Sequence, residues 1–214
     1  MINIIRSILP KDKFTVAVSG GVDSIAAAHL LIRLYGPDRV SVCHYNHNLR
    51  QQNNLMETRV KQFCEHNYVN YSTATRERKS IKGSIEATLR EDRLNFFKTL
   101  QSHIICCHHI DDAVESYVMN MLRGCPEYMP IPVSTKLESY SICRPFIRNA
   151  KAELIEYAKN NDLLDYIVED ETNVDTAYRR NWIRHDIVPQ FSQFGLPKIV
   201  RKKFYNKIQS SNEL

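Results

Sequence analysis

Phe14-Thr15-Val16-Ala17-Val18 is apolar or β-branched throughout and runs into Ser19-Gly20-Gly21, which predicts a buried strand ending at a turn. From Ser24 to Tyr35 the residues Ile25, Ala28, Leu31, Ile32 and Tyr35 recur at helical spacing, and Gly36-Pro37-Asp38 stops that helix. Val40 to Tyr45 reads as a second strand, Asn46 to Asn54 as a polar loop, and Leu55 to His66 as a second helix. A third strand is expected over Tyr68 to Ser72, followed by a polar, basic stretch over 73–83. Ser84 is placed to cap a helix from Ile85 to about Leu100, with Ile85, Leu89, Phe96 and Leu100 as its apolar positions. His103 to His108 reads as a fourth strand and Asp111 to Leu122 as a further helix. Strand and helix therefore alternate four times, the pattern of a parallel sheet with helices on its faces.

Beyond Arg123 the pattern weakens. Residues 124–141 carry Gly124, Pro126, Pro130 and Pro132 without a period and read as a long loop. Arg144-Pro145 precedes a helix over about Ala150 to Asn160, residues 168–178 are acidic and polar, and Arg179 to Phe191 looks helical until Pro189. From Pro197 the tail carries five basic residues and one acid and suits a last helix. The expected architecture is α/β, a doubly wound, mainly parallel sheet over residues 1–145. A small helical C-terminal extension over 146–214 is expected to pack on the same domain.

Composition fits this picture without sharpening it. The chain has 214 residues, 43% hydrophobic and 25% charged, which excludes a disordered or collagen-like chain. Its formal charge of +5 permits a polyanionic partner. The segment 1–9 is too short for a signal sequence or a membrane span, so a cytoplasmic protein without membrane contact is expected. The six cysteines follow no regular spacing and form no CxxC pair, so free thiols and no structural zinc are expected.

The strongest chemical signal is Ser19-Gly20-Gly21-Val22-Asp23-Ser24, set between a buried strand and a helix. Adjacent glycines let a ligand approach the backbone, the helix start offers free N–H groups and partial positive charge, and two hydroxyls add donors. This is a cradle for pyrophosphate rather than a bare helix cap. Asp23 belongs at such an anion site if it holds a magnesium ion or the attacking group. No Gly-Lys-Ser/Thr or GxGxxG is present, so neither the lysine-bearing phosphate loop nor a dinucleotide fingerprint is supported.

Strand, Ser-Gly-Gly-Val-Asp-Ser, helix resembles the PP-loop of the N-type ATP pyrophosphatases. Four further segments extend the resemblance: His44-Tyr45-Asn46-His47-Asn48-Leu49-Arg50; Glu86 through Arg93; His108-His109-Ile110-Asp111-Asp112 with Glu115 and Met121-Leu122-Arg123-Gly124; and Arg144-Pro145-Phe146 followed by Val168 through Asn173 and Arg179 through His185. In this order they are similar to the tRNA(Ile)-lysidine synthetase family over roughly residues 13–190. That resemblance implies ATP and Mg²⁺ as cofactors, and free L-lysine and a tRNA(Ile) with a CAU anticodon as partners. It implies adenylation of the C2 oxygen of the wobble cytidine, followed by displacement of AMP by the ε-amine of lysine.

On this reading Ser19, Gly20, Gly21, Val22, Asp23 and Ser24 bind ATP, while Asp23, Arg93, His108 and Asp112 carry the chemistry. Asp112 would hold the lysine ammonium or help remove its proton, and Asp111 would cap its helix. Arg90 and Arg93 share a helix face that is either solvated or set against phosphate. The resemblance favours phosphate, most for Arg93. Arg179, Arg180, Asn181 and Arg184, with His185 around Trp182, suit RNA contact. A helix that buries Trp182 and Ile183 is the alternative. Cys106-Cys107-His108-His109 reads as core strand rather than metal site, because alternation sends neighbours to opposite faces. The chain departs from the family at Asn48, where glycine is usual, at Ala113, where glutamine is usual, and over Cys125-Pro126-Glu127-Tyr128. It ends at Leu214, where typical members continue into further domains. A homodimer stays open. So do a different PP-loop transferase and a non-catalytic RNA-binding derivative of the fold.

Overall fold

The computed structural model describes residues 2–78, 80, 83–125, 131–169, 179–196, 198–200 and 202. A six-stranded sheet runs in the order β3-β2-β1-β4-β6-β5. The strands are β1 (Phe14–Ala17), β2 (Val40–Asn46), β3 (Asn70–Thr75), β4 (His103–Ile105), β5 (Ser134–Lys136) and β6 (Ser141–Cys143). All pair in parallel except β5, which pairs antiparallel to β6 with Thr135 opposite Ile142.

The helices are α1 (Val22–Tyr35), α2 (Gln51–His66), α3 (Ile85–Thr99), α4 (Ile110–Leu122), α5 (Lys151–Lys159), α6 (Arg179–Trp182) and α7 (Val188–Ser192). Period-2 alternation divides the core between the two faces of the sheet. Val16, Val42 and Ile105 join Ile25, Leu31, Val60, Phe63 and Leu154 on one side. Cys43, Ile104 and Ile142 join Phe97 of α3 and Tyr140 on the other. Helix α5 packs through Leu154 and Ala158 into the same cluster as α1. Among the described residues no helix is long and apolar enough to cross a membrane.

The doubly wound parallel sheet matches expectation; several boundaries and one element do not. The polar stretch Gln51–Asn54 is helical, because Asn53 closes a capping turn by accepting from the amides of Leu49 and Arg50 at 3.1 and 3.0 Å. Strand β3 lies two residues later than expected, after Tyr68 takes a positive φ of 55°. Strand β4 stops at Ile105, so Cys106 to His109 form the turn into α4. The expected loop over 124–141 holds β5, and the β5–β6 hairpin closes the sheet edge.

Pro189 does not end the helix there. A π-helical turn over Ile183–Ile187 precedes it, and Pro189 falls in the first turn of α7, where a missing N–H costs nothing. Residues 198–200 are helical. Pro126, Glu127, Tyr128, Pro130, the acidic run from Asp170 to Tyr178, and the tail cations Arg201, Lys203 and Lys207 lie outside the described residues.

Candidate active site

On one side of β1 lie β2 and then β3, in chain order, and on the other lie β4, then β6 and β5. The winding therefore reverses between β1 and β4, and the loops beyond their C-terminal ends face one crevice, the usual ligand position in such sheets. The β1 loop is Ser19 to Ser24. Gly20 sits at φ 95°, and a Cβ there would meet the Met56 Cβ of α2 at 3.2 Å. Only glycine fits both demands. The Ser24 hydroxyl donates to the Gly21 carbonyl at 2.9 Å and accepts from the Ser19 amide at 3.1 Å, which fixes the loop's curvature. Gly21 is the N-cap of α1 and supplies no capping side chain, so the first amides of the helix open toward the crevice.

The β4 turn delivers His108, His109 and the start of α4. His109, 2% exposed, is the residue that reaches the β1 loop. Its Nε2 lies 3.6 Å from Asp23 Oδ2 and 3.4 Å from Asp112 Oδ2, and its Nδ1 lies 3.4 Å from Asp111. Burial alone would lower its pKa. The Asp111, Asp23 and Asp112 carboxylates outweigh burial and raise it from 6.5 to about 10. The ring is therefore an imidazolium that ties the two loops together. The Asp112 amide also approaches Nδ1, at 3.4 Å, the outer limit of a hydrogen bond. With Nδ1 protonated, Asp111 takes precedence as its partner.

His108 is the opposite case. Burial, reinforced by Arg144, Arg93 and Arg180 and opposed by Asp112, lowers it to about 4. It is neutral near pH 7, and its Nδ1 is buried without a partner. Asp112 would be raised by burial, but the His109 imidazolium and Arg180 hold it below the usual carboxylate value. Asp111 does not serve its own helix as a cap; it accepts from the Lys151 amide at 2.7 Å and so holds the start of α5.

Glu115, one helical turn beyond Asp112 and nearly buried, shares its face. Arg180 spans the two carboxylates, with Nη2 2.9 Å from Asp112 Oδ1 and Nε 2.8 Å from Glu115 Oε2. Arg184 meets Glu115 through Nε at 2.6 Å and Nη2 at 3.1 Å. A cavity of about 230 Å³ lies beside this cluster, lined by His109, Asp111, Glu115, Lys151, Arg184 and Val188. Asp112 and Glu115 thus form a carboxylate pair already holding cations.

Of the residues expected at the site, the β1 loop, Asp23, His108 and Asp112 converge here. Arg93 approaches from α3, and its charge acts on His108. Arg180 and Arg184 turn inward to carboxylates rather than outward; Arg179 is exposed and Asn181 is buried. Trp182 is 39% exposed whereas Ile183 is fully buried, so the helix buries only one of the pair. His109, Glu115 and Lys151, whose Nζ lies 3.9 Å from Asp23, were not expected. The signal for Glu115 was its three-residue spacing from Asp112.

Asp23 Oδ1 is buried with no partner, while Oδ2 faces His109 and Lys151. An orphaned hard oxygen at a phosphate loop fits a magnesium ligand.

Residues 2–191 match the family model for the PP-loop domain. The chain belongs to the PP-loop family. It is 32% identical over 204 residues to the bifunctional protein TilS/HprT of Listeria monocytogenes, covering 89% of this chain and 31% of that protein. To the tRNA(Ile)-lysidine synthase of Lactiplantibacillus plantarum it is 34% identical over 191 residues, 85% of this chain and 42% of the relative. The corresponding enzyme of Nitrosomonas europaea is 31% identical over 200 residues, 89% and 43% of the two chains. The PP-loop chain thus spans less than half the length of these relatives. Among solved structures, the U34-tRNA thiolase NcsA of Methanococcus maripaludis aligns with a TM-score of 0.75 at 14% identity, covering 97% of this chain and 75% of that one. This likeness supports the PP-loop α/β fold.

Proposed function

We propose that this PP-loop protein ligates lysine to C2 of the wobble cytidine of a tRNA(Ile) with a CAU anticodon, through an adenylated intermediate. The observation that carries the reading is the Asp112–Glu115 carboxylate pair, joined by the His109 imidazolium to Asp23 of the phosphate loop. The names of the relatives give it its substrate.

The amides of the Ser19–Ser24 loop and the start of α1 bind the leaving pyrophosphate. The cytidine C2 oxygen attacks the α-phosphorus, and the bond to pyrophosphate breaks. Asp23 Oδ1 would hold a magnesium ion, which would neutralise charge on the phosphates. Lysine enters with its charged groups directed to Asp112 and Glu115, sites that Arg180 and Arg184 fill in its absence. Once its ε-ammonium has lost a proton, the amine attacks C2 and AMP leaves. That proton leaves to solvent, because His108, lowered to about 4 by burial and its arginine neighbours, is too weak a base to take it from an ammonium.

Thiol chemistry has weaker support. Burial raises the Cys106 thiol and raises Cys107 well above its ordinary value, so both are protonated and poorly nucleophilic. The test is product analysis from ATP with lysine and with CAU-anticodon tRNA, each also omitted in turn. Release of AMP and pyrophosphate that depends on tRNA supports the reading; ADP and phosphate as main products contradict it.

A further inference from the structure

The loop that follows β2 and the chain that follows β3 enclose a surface that the proposed reaction does not use. A groove of about 580 Å³ lies between them. One wall is residues 48–50 with Gln51 at the start of α2; the other is Arg76, Arg78 and Ser80. Among the described residues its lining carries three arginines and no carboxylate.

The two walls are fixed to each other. Asn48 takes a positive φ of 51°, which asparagine tolerates better than most residues. Its amide donates to Asn46 Oδ1 at 2.8 Å, and its Nδ2 donates across the groove to the Arg76 carbonyl at 3.1 Å. The Arg76 amide donates back to the Asn46 carbonyl at 2.8 Å, and Arg78 Nε reaches Asn48 Oδ1 at 3.4 Å. Glycine at position 48 would meet the φ but could not make the two side-chain contacts. Arg76 is buried and held by Asp92 at 2.9 Å, whereas Arg50 and Arg78 are exposed. The groove thus presents two exposed arginines on a backbone that is set before any ligand arrives.

A small-molecule pocket is concave and mostly apolar, and this lining is neither enclosing nor apolar. Its charge and shape fit an extended polyanion. Strands β2 and β3 run parallel to β1, so the groove opens at the same end of the sheet as the Ser19–Ser24 loop, with β3 two positions from β1, roughly 10 Å away at ordinary strand spacing. Arg180 and Arg184, the cations expected to meet RNA, are instead engaged by Asp112 and Glu115. We infer that this groove seats the phosphodiester backbone of an RNA whose neighbouring nucleotide enters the crevice, with Arg50 and Arg78 as phosphate contacts. The choice of RNA as the polyanion rests on the function proposed above.

Fluorescence anisotropy with a CAU anticodon stem-loop, read over a range of salt without ATP or lysine, tests the groove apart from catalysis. Arg50→Gln and Arg78→Gln should each weaken binding about three- to tenfold and lower the slope of log affinity against log salt by about 0.7–0.9, the share of one phosphate. A stem-loop with an altered anticodon should lose the same factor, because phosphate contacts carry no sequence information. Lys98→Gln removes an exposed cation at the end of α3 where the chain turns back into β4, away from the groove, and should change neither quantity. No binding by the wild type, unchanged affinity and slope in both folded arginine variants, or an equal loss in Lys98→Gln would overturn the inference. Displacement of the stem-loop by polyglutamate of equal charge would also overturn it and mark an acidic-peptide surface. Lysine transfer that fails while stem-loop binding stays dependent on Arg50 and Arg78 would overturn the proposed function and leave the groove standing.

Discussion

His108 and His109 are neighbours in sequence with opposite charge states, and the difference is one of partners rather than burial. His109 faces three carboxylates and is raised to about 10; His108 faces three arginines and one carboxylate and is lowered to about 4. Imidazole NMR shifts followed with pH should therefore show one of the pair still charged at pH 8 and the other still neutral at pH 5. Because the folded value of His109 lies above 6.5, its stabilisation is complete below pH 6.5 and is lost as pH rises through 10. His109→Gln should flatten the fall in denaturation midpoint across that window. The depressed value of His108 works the other way and removes stability as pH falls from 6.5 toward 4. Asp23→Asn separates chemistry from structure. Gly21, not Asp23, is the N-cap of α1, so the cost in stability should stay below about 1 kcal/mol while AMP formation is abolished. An equal loss of both, measured by denaturation and by product release, would make Asp23 a helix-start residue only.

At the scale of elements, the β1 turn into α1 depends on Gly20. Gly20→Ala combines a positive φ with a 3.2 Å approach to Met56, and should lower stability by about 1–2 kcal/mol in urea denaturation, with phosphate affinity falling alongside. The elements legible in the sequence were those with a clear period or an unbroken apolar run: β1, α1, β2, α3, α4 and α5. The hairpin was not legible, because Ser134–Lys136 and Ser141–Cys143 are three residues each and β5 is polar. Its pairing is set by the edge of β4, a tertiary fact. The first turn of α2 was hidden for a related reason: Gln51–Asn54 carries no apolar signal, and the capping by Asn53 depends on the backbone of Leu49 and Arg50. At the site, the loop residues and Asp112 were legible from type and spacing. The place of His109 rather than His108 against Asp23 was not, since it depends on where β4 ends. The inward turn of Arg180 and Arg184 follows from Glu115, whose burial the sequence does not announce.

Across the whole molecule, Glu115 is the polar contact of the C-terminal helices with the sheet domain, beside an apolar one in which Val188, Leu196 and Val200 pack with Ile110, Val114 and Ile147. Neutralising this buried carboxylate removes the Glu115 contacts of Arg184 and leaves Arg180 with Asp112, so Glu115→Gln should cost about 3 kcal/mol. Amide exchange should accelerate first over residues 179–196, with β1 and β4 protected; uniform acceleration would mean that the contact supports the entire fold rather than one docked segment. The same carboxylates form the proposed lysine site, which links seating of that segment to entry of the amine. The product made in that crevice decides between lysine transfer and other chemistry. Incubation with ATP, Mg²⁺, lysine and CAU-anticodon tRNA, followed by mass spectrometry of the digested nucleosides, should reveal a wobble cytidine heavier by one lysine less one water, labelled when the lysine is labelled. A wobble cytidine left unchanged while ATP is cleaved, or one carrying sulfur, would contradict lysine transfer.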